Sequence, residues 1–167
     1  MTIVDPPQTP ERGYRFLANE VRRTQTFDRA EVEAALRDYE RRGQVAVETG
    51  DWATWALQFT DDAIYVEHQY GVMRSQRAIS AWITSTMQGH ALELQFPIEW
   101  YVIDNDLVVV YVPNRYPPHD DGPEYLFGCV TILCYAGDGK WCYEEDLYNA
   151  LESHRVHQAY TAARGQA

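Results

Sequence analysis

The chain is poor in positive charge: 14 lysines and arginines stand against 25 aspartates and glutamates, for a formal net charge of −11. A protein that holds nucleic acid needs a basic footprint to displace phosphate counterions, and none is present. The same deficit disfavours an anionic membrane surface. The arginine pairs at 22–23 and 41–42 are short and read as solvated helix faces. Cysteine is also scarce. Cys129, Cys134 and Cys142 are an odd number with no Cys-x-x-Cys spacing, and they read as reduced, buried thiols of a cytoplasmic protein. No apolar run is long enough to span a bilayer. The N-terminus is polar, with Pro6, Pro7 and Pro10, so no secretory leader is expected. There is no glycine-rich phosphate loop after a strand, no serine nucleophile motif, no internal repeat and no low-complexity tract.

Apolar residues and rings are plentiful. Apolar residues make up 46% of the chain, ordinary for a globular core, and aromatic residues 13%, enough to line a cavity. The 167 residues suit one domain with short extra ends: an arm and extra helix over 1–27, a main domain over 28–149 and a tail, plausibly helical, over 150–167.

The most informative stretch is Gly50 to His68. Asp51 can cap a short helix whose apolar face is Trp52, Trp55, Ala56 and Phe59. Asp61-Asp62 interrupts that face, and Ala63–Val66 is β-rich. Before it, a helix is expected from about Arg29 to about Glu48, opened by Asp28 with Glu31 three residues on. An earlier helix is expected over 11–25. After a hairpin at Gly71, Ser75 can cap a helix carrying Ala78, Ile79, Trp82, Ile83 and Met87 on one side. Strands are expected at Glu99–Asp104, Leu107–Val112, Tyr125–Tyr135 and Lys140–Tyr148, with tight turns at Asn105-Asp106 and Gly137-Asp138-Gly139. Pro113–Pro123 reads as a polar, proline-rich loop long enough for a lid. The order implies an α+β fold, a cone-shaped curved antiparallel sheet wrapped around the N-terminal helices. Helices between most strands, which a parallel sheet needs, are missing.

The segments GDW at 50–52, FTDDAIYVEH at 59–68 and SQRAISAWI at 75–83, supported by GDGKWCYEEDLYN at 137–149, resemble the nuclear transport factor 2-like superfamily and, within it, the SnoaL-like group. The resemblance implies a deep pocket between the sheet's concave face and the helices. It also implies a range of activities: ketosteroid isomerases, polyketide cyclases, scytalone dehydratase, limonene epoxide hydrolase, and many non-catalytic modules. Members are commonly homodimers through the sheet's outer face, for which Val108, Val110 and Val112 offer apolar surface.

Residues two apart on a strand share a face. If Glu67 points into the pocket, so do Tyr65 and Ala63, while Ile64, Val66 and His68 point away. The resemblance places Glu67 where ketosteroid isomerases carry their general base, and an apolar pocket raises a carboxyl's pKa toward a useful value. The last strand is ambiguous. Simple patterning buries Trp141, Tyr143 and Leu147; register by resemblance instead turns Glu144, Asp146 and Tyr148 inward. The isomerase's enolate donors are replaced, by register, with Gly43 and Thr131, for which Tyr39 or Tyr65 can substitute. The expected catalytic set is therefore Glu67 as base, Asp146 as a second acid/base group and Tyr65 as donor. Tyr39, Trp55, Phe59, Trp82, Trp100, Thr131, Glu144 and Tyr148 are expected around the ligand. Arg115, the only arginine near the central strands, sits beside a loop and makes a weak case for an aspartate–arginine epoxide site. His119 reads as solvated. His154 and His157 are spaced for a metal but lack a third ligand, so no metal or cofactor is expected. The expected function is acid/base chemistry on a small hydrophobic molecule, such as a polyketide, steroid or terpenoid; the alternative is a non-catalytic binding or assembly module.

Overall fold

The computed structural model of the protein describes residues 16–118 and 123–165. Within them the order is α1 (Arg29–Thr49), α2 (Trp52–Trp55), β1 (Phe59–Glu67), β2 (Gly71–Arg74), α3 (Gln76–Thr86), β3 (Trp100–Asp104), β4 (Leu107–Arg115), β5 (Leu126–Gly137), β6 (Lys140–Tyr148) and α4 (Ala150–Arg164). The strands make one curved open sheet in the order β2-β1-β6-β5-β4-β3. This is the expected α+β architecture. Neighbouring strands are antiparallel except β1 and β6, which run parallel. A parallel pair needs a long crossover, and α3 with β3–β5 supplies it.

The helix starts follow the sequence. Asp28 accepts from the Ala30 N–H at 2.7 Å, Asp51 from Thr54 at 2.9 Å, and Ser75 from Ala78 at 3.2 Å. Asn149 accepts from both Leu151 and Glu152 at the start of α4. Each such cap satisfies an orphan backbone donor and contributes about 1 kcal/mol. Asp138 and Gly139 both adopt positive φ (52° and 69°), as a two-residue hairpin between right-twisted strands requires.

Several boundaries differ from expectation. α2 stops at Trp55, a 3-10 turn covers Ala56–Gln58, and β1 already begins at Phe59. Asp61 and Asp62 therefore lie within the strand. The pairing of β1 with β6 slips between Phe59 and Ile64, which leaves the two acids in solvent, and Asp62 meets Arg23 at 3.0 Å. The helix expected over 11–25 is, in its described part, a 3-10 turn at Leu17–Glu20; residues 11–15 lie outside the described residues. Tertiary contact overrides helical periodicity here. Ala18 and Val21 pack on the sheet's outer face against Ile64, Val66, Cys134 and Tyr143, and Arg22 clamps the buried Asp106 with bonds of 2.8 and 2.6 Å. β4 runs on through Pro113, Asn114 and Arg115, three residues into the expected loop. The lid expected over 113–123 is described only in part, since 119–122, including His119, lie outside the described residues.

Val108, Val110 and Val112 are buried in the main core and face the helices, so they do not form the outer apolar surface expected of them. Alternation along β4 explains it: the even positions point inward. Apolar exposure falls instead on β3, at Trp100, Tyr101 and Val102.

β6 contains a bulge. Cys134 and Tyr135 are consecutive on β5, but their partners on β6 are Tyr143 and Trp141, leaving Cys142 as the extra residue. Trp141 belongs to the core under the helices, whereas Tyr143 packs on the outer face, with Phe16 at 5.3 Å between ring centroids. Beyond the bulge, Glu144, Asp146 and Tyr148 turn to the concave side. Simple patterning thus describes the strand before Cys142 and fails after it: Tyr143 packs outward and Leu147 is exposed.

Candidate active site

A cavity of about 390 Å³ lies between the concave sheet face and α1, α2 and α3, with α4 contributing Ser153, His154 and His157 to its wall. Three carboxyls of the sheet face it, and the strand pairing brings them together. In the parallel pair, Tyr65 lies opposite Glu144 and Glu67 opposite Asp146; on the other side, Thr131 of β5 lies opposite Asp146. Glu67 and Glu144 are 3% and 2% exposed, and Asp146 is half-buried.

Each carboxyl has a tyrosine. Tyr39 donates to Glu144 Oε1 at 2.7 Å, Tyr65 to Asp146 Oδ2 at 2.5 Å, and Tyr148 to Glu67 Oε1. The remaining partners differ. Asp146 Oδ1 also accepts from Thr131 at 2.5 Å and from the Cys129 thiol at 3.8 Å. Glu67 Oε2 accepts from the backbone N–H groups of Gln69 and Tyr70, at 2.8 and 2.9 Å, and so fastens the β1–β2 turn. Glu144 Oε2 is buried with no hydrogen-bond partner among the described residues.

These differences set the protonation states. Burial pushes Glu144 well above the usual carboxylate range and the nearby Asp146 pushes it further, against the pull of the Tyr39 and Tyr65 hydroxyls. Burial also raises Asp146, but the bonds from Thr131, Tyr65 and Cys129 oppose it. Burial raises Glu67 against the pull of Tyr148 and the Gln69 N–H. Two carboxyls two residues apart on one face cannot both ionise cheaply in a low dielectric. Asp146, with three donors, keeps a charge more readily, and Glu144 keeps a proton more readily. Desolvation likewise holds Tyr39 and Tyr65 in their neutral, donating form.

The walls are aromatic. Trp82 stands 4.8 Å from Tyr65 and 5.9 Å from Tyr70 between ring centroids, and Trp52 stands 5.7 Å from Trp55 and 5.9 Å from Phe96. Among the residues expected from sequence, Glu67, Asp146, Tyr65, Glu144 and Tyr148 line the cavity, as do Tyr39, Trp55, Trp82 and Thr131. Phe59 does not line it; it stands behind the wall, 5.2 Å from Trp55 and 6.1 Å from Tyr65 between centroids. Trp100 is a correction. It lies on the edge strand, 49% exposed, stacked on Tyr111, because its partner on β4 is an odd, outward-facing position. Arg115 pairs with Glu99 outside the cavity, and His68 meets Glu145 on the outer face at 3.0 Å.

Sequence reasoning missed Gln69, whose side chain donates to the Tyr148 hydroxyl at 2.6 Å. The alternation that pairs Tyr65 with Glu67 reaches it one step further. Asn114 and Tyr116 were hidden by the expected loop, and Asn114 continues the inward series of β4. His157 lines the cavity and meets the Tyr116 hydroxyl at 2.7 Å. No group of three His, Cys, Asp or Glu side chains among the described residues is arranged to hold a metal.

Residues 37–144 match the SnoaL-like domain. The protein belongs to the SnoaL-like domain family. The chain shares this fold with solved structures of low identity. A putative SnoaL-like polyketide cyclase from Shewanella denitrificans is 18% identical, with 79% of this chain and 99% of that one covered and a TM-score of 0.58. An LEH-like epoxide hydrolase of M. tuberculosis is 16% identical, with 83% and 98% covered and a TM-score of 0.58. An NTF2-like protein of Anabaena variabilis is 13% identical, with 77% and 96% covered and a TM-score of 0.60. No curated protein matches this SnoaL-like chain.

Proposed function

We propose that this SnoaL-like protein is an acid/base enzyme that moves protons on a small, largely apolar molecule, by isomerisation, cyclisation, dehydration or hydration. One observation carries the reading: Glu144 and Asp146, two residues apart on one face of β6, meet the same aromatic-walled cavity with different hydrogen-bonding environments. Environments that push two titratable groups apart are how one site supplies both an acid and a base. Asp146 is the base, held ionised by Tyr65, Thr131 and Cys129. Glu144 is the acid, and Tyr65 and Tyr39 supply neutral donors toward an oxygen of the substrate. Glu67 was the first candidate for the base from sequence alone. Its bonds to two backbone N–H groups and to Tyr148 favour a holding role, in which it orients Tyr148 beside the reacting groups.

The test has two parts. The carbonyl stretch of a protonated carboxylic acid is expected in the infrared spectrum at neutral pH, and is lost in Glu144→Gln. Turnover is then sought in deuterated buffer on a panel of ketones, hydroxyketones and epoxides. Asp146→Asn is expected to lower any turnover by about 10²–10⁴-fold, the usual contribution of a positioned base, in protein that stays folded by circular dichroism. Full activity in Asp146→Asn sinks the assignment. A cavity that binds panel members without changing them makes the protein a binding module.

A further inference from the structure

The cavity's charge pattern selects among ligands. Glu67, Glu144 and Asp146 face it, Glu40 lies on its wall, and no lysine or arginine lines it among the described residues. Burying carboxylates without a cation is costly, and retaining a proton is one way to avoid that cost. A positive ligand is the other. Much of the wall is aromatic: Trp82 packs with Tyr65 and Tyr70, and Trp52 with Trp55 and Phe96. Ring faces attract an alkylated ammonium group, which needs few or no hydrogen-bond acceptors. Glu144 Oε2 adds a second, independent mark of a ligand: a buried acceptor atom with no partner. With 25 acids against 14 basic residues, the whole chain also draws cations toward it.

We propose that the molecules this cavity takes are small alkylated ammonium ions, their charge facing the Glu144–Asp146 pair and their alkyl groups lying against the Trp82 and Trp55 walls; this rests on reading the cavity as the acid/base site. On binding, Glu144 gives up its proton. The O–H bond breaks, the electron pair stays on the carboxylate, and the proton leaves to water and buffer. The groups facing the pair are Tyr39 from α1, Tyr65 and Glu67 from β1, Cys129 and Thr131 from β5, and Tyr148 from β6. His68 bears on Asp146 from the outer face, and His154 and His157 line the cavity from α4. The tyrosines and Cys129 keep their protons, because burial raises each of them.

The experiment is calorimetric titration of the whole chain with choline and with 3,3-dimethylbutan-1-ol, which replaces the charged nitrogen by carbon at the same shape. Each is run at neutral pH in two buffers of different ionisation enthalpy. Choline is expected to bind at least about tenfold more tightly than the alcohol, and to release about one proton as Glu144 ionises. Glu144→Gln is expected to abolish the release, and Asp146→Asn to weaken choline about tenfold or more. Equal or tighter binding of the alcohol overturns the proposal, as does failure of both to bind. Choline binding unaffected by either substitution overturns it too, by placing the cation elsewhere. The first comparison uses only the unmodified chain, so a variant that fails to fold does not obscure it. A choline result of either sign leaves the acid/base reading to its own test, the infrared band and the turnover of Asp146→Asn.

Discussion

At the scale of single residues, the Tyr39–Glu144 contact is the most exposed to test. Tyr39 donates to the buried Glu144 carboxyl at 2.7 Å, and the Tyr65 hydroxyl also bears on that carboxyl. Tyr39→Phe removes a donor from a buried carboxyl, which costs about 1–3 kcal/mol. Urea unfolding at neutral pH is expected to read that loss, and the acid's infrared carbonyl band to persist, because removing a donor to the charged form favours the neutral one. An unchanged midpoint contradicts the contact. Residue-level reading from sequence worked where side-chain direction follows strict alternation. On β1, Tyr65 and Glu67 share the cavity face, and Ile64, Val66 and His68 take the other. It failed for Trp100, because exposure there is set by the neighbouring strand and by position at the sheet's edge, neither of which a local pattern encodes.

At the scale of elements, caps and turns were legible because they are local chemistry: Asp28, Asp51 and Ser75 cap where the sequence places them. The 17–20 segment and the start of β1 were not, because both are shaped by contacts with distant strands. The bulge at Cys142 was invisible for the same reason: a bulge is a property of two strands, and one strand's sequence holds half of it. Deleting Cys142 removes the extra residue and leaves Trp141 and Glu144 two apart, so that Trp141, Glu144 and Asp146 all face inward without a bulge. The deletion is therefore expected to fold and to keep the protonated-acid band and choline binding; a folded variant that loses both refutes this reading of the bulge. The strap over the outer face is a separate element. Arg22→Leu strands the buried Asp106, and breaking such a pair costs about 3–5 kcal/mol when both partners are buried; since Arg22 is one-third exposed, about 2 kcal/mol is expected in a denaturant titration.

At the scale of the whole molecule, burial raises Glu67, Glu144 and Asp146 together, and that fixes the sign of a pH effect. A carboxyl whose folded pKa lies above its unfolded value binds its proton more tightly in the native state. Its stabilising contribution is full below the unfolded pKa and is lost as pH rises toward the folded one. Melting temperature is thus expected to fall as pH climbs above the ordinary carboxylate range, and Glu144→Gln to flatten that fall. An equal slope in both proteins argues against a protonated Glu144. The parallel pairing of β1 with β6 also has a consequence for synthesis. Tyr65 and Asp146 are 81 positions apart, so a growing chain has already made α1–α3 and the strands before β6 by the time these groups can meet. Until the final strand docks, Glu144 and Asp146 stay hydrated and ordinary in proton affinity. Closing so long a loop is entropically slow, so the chemistry of the protein switches on with the last strand to dock.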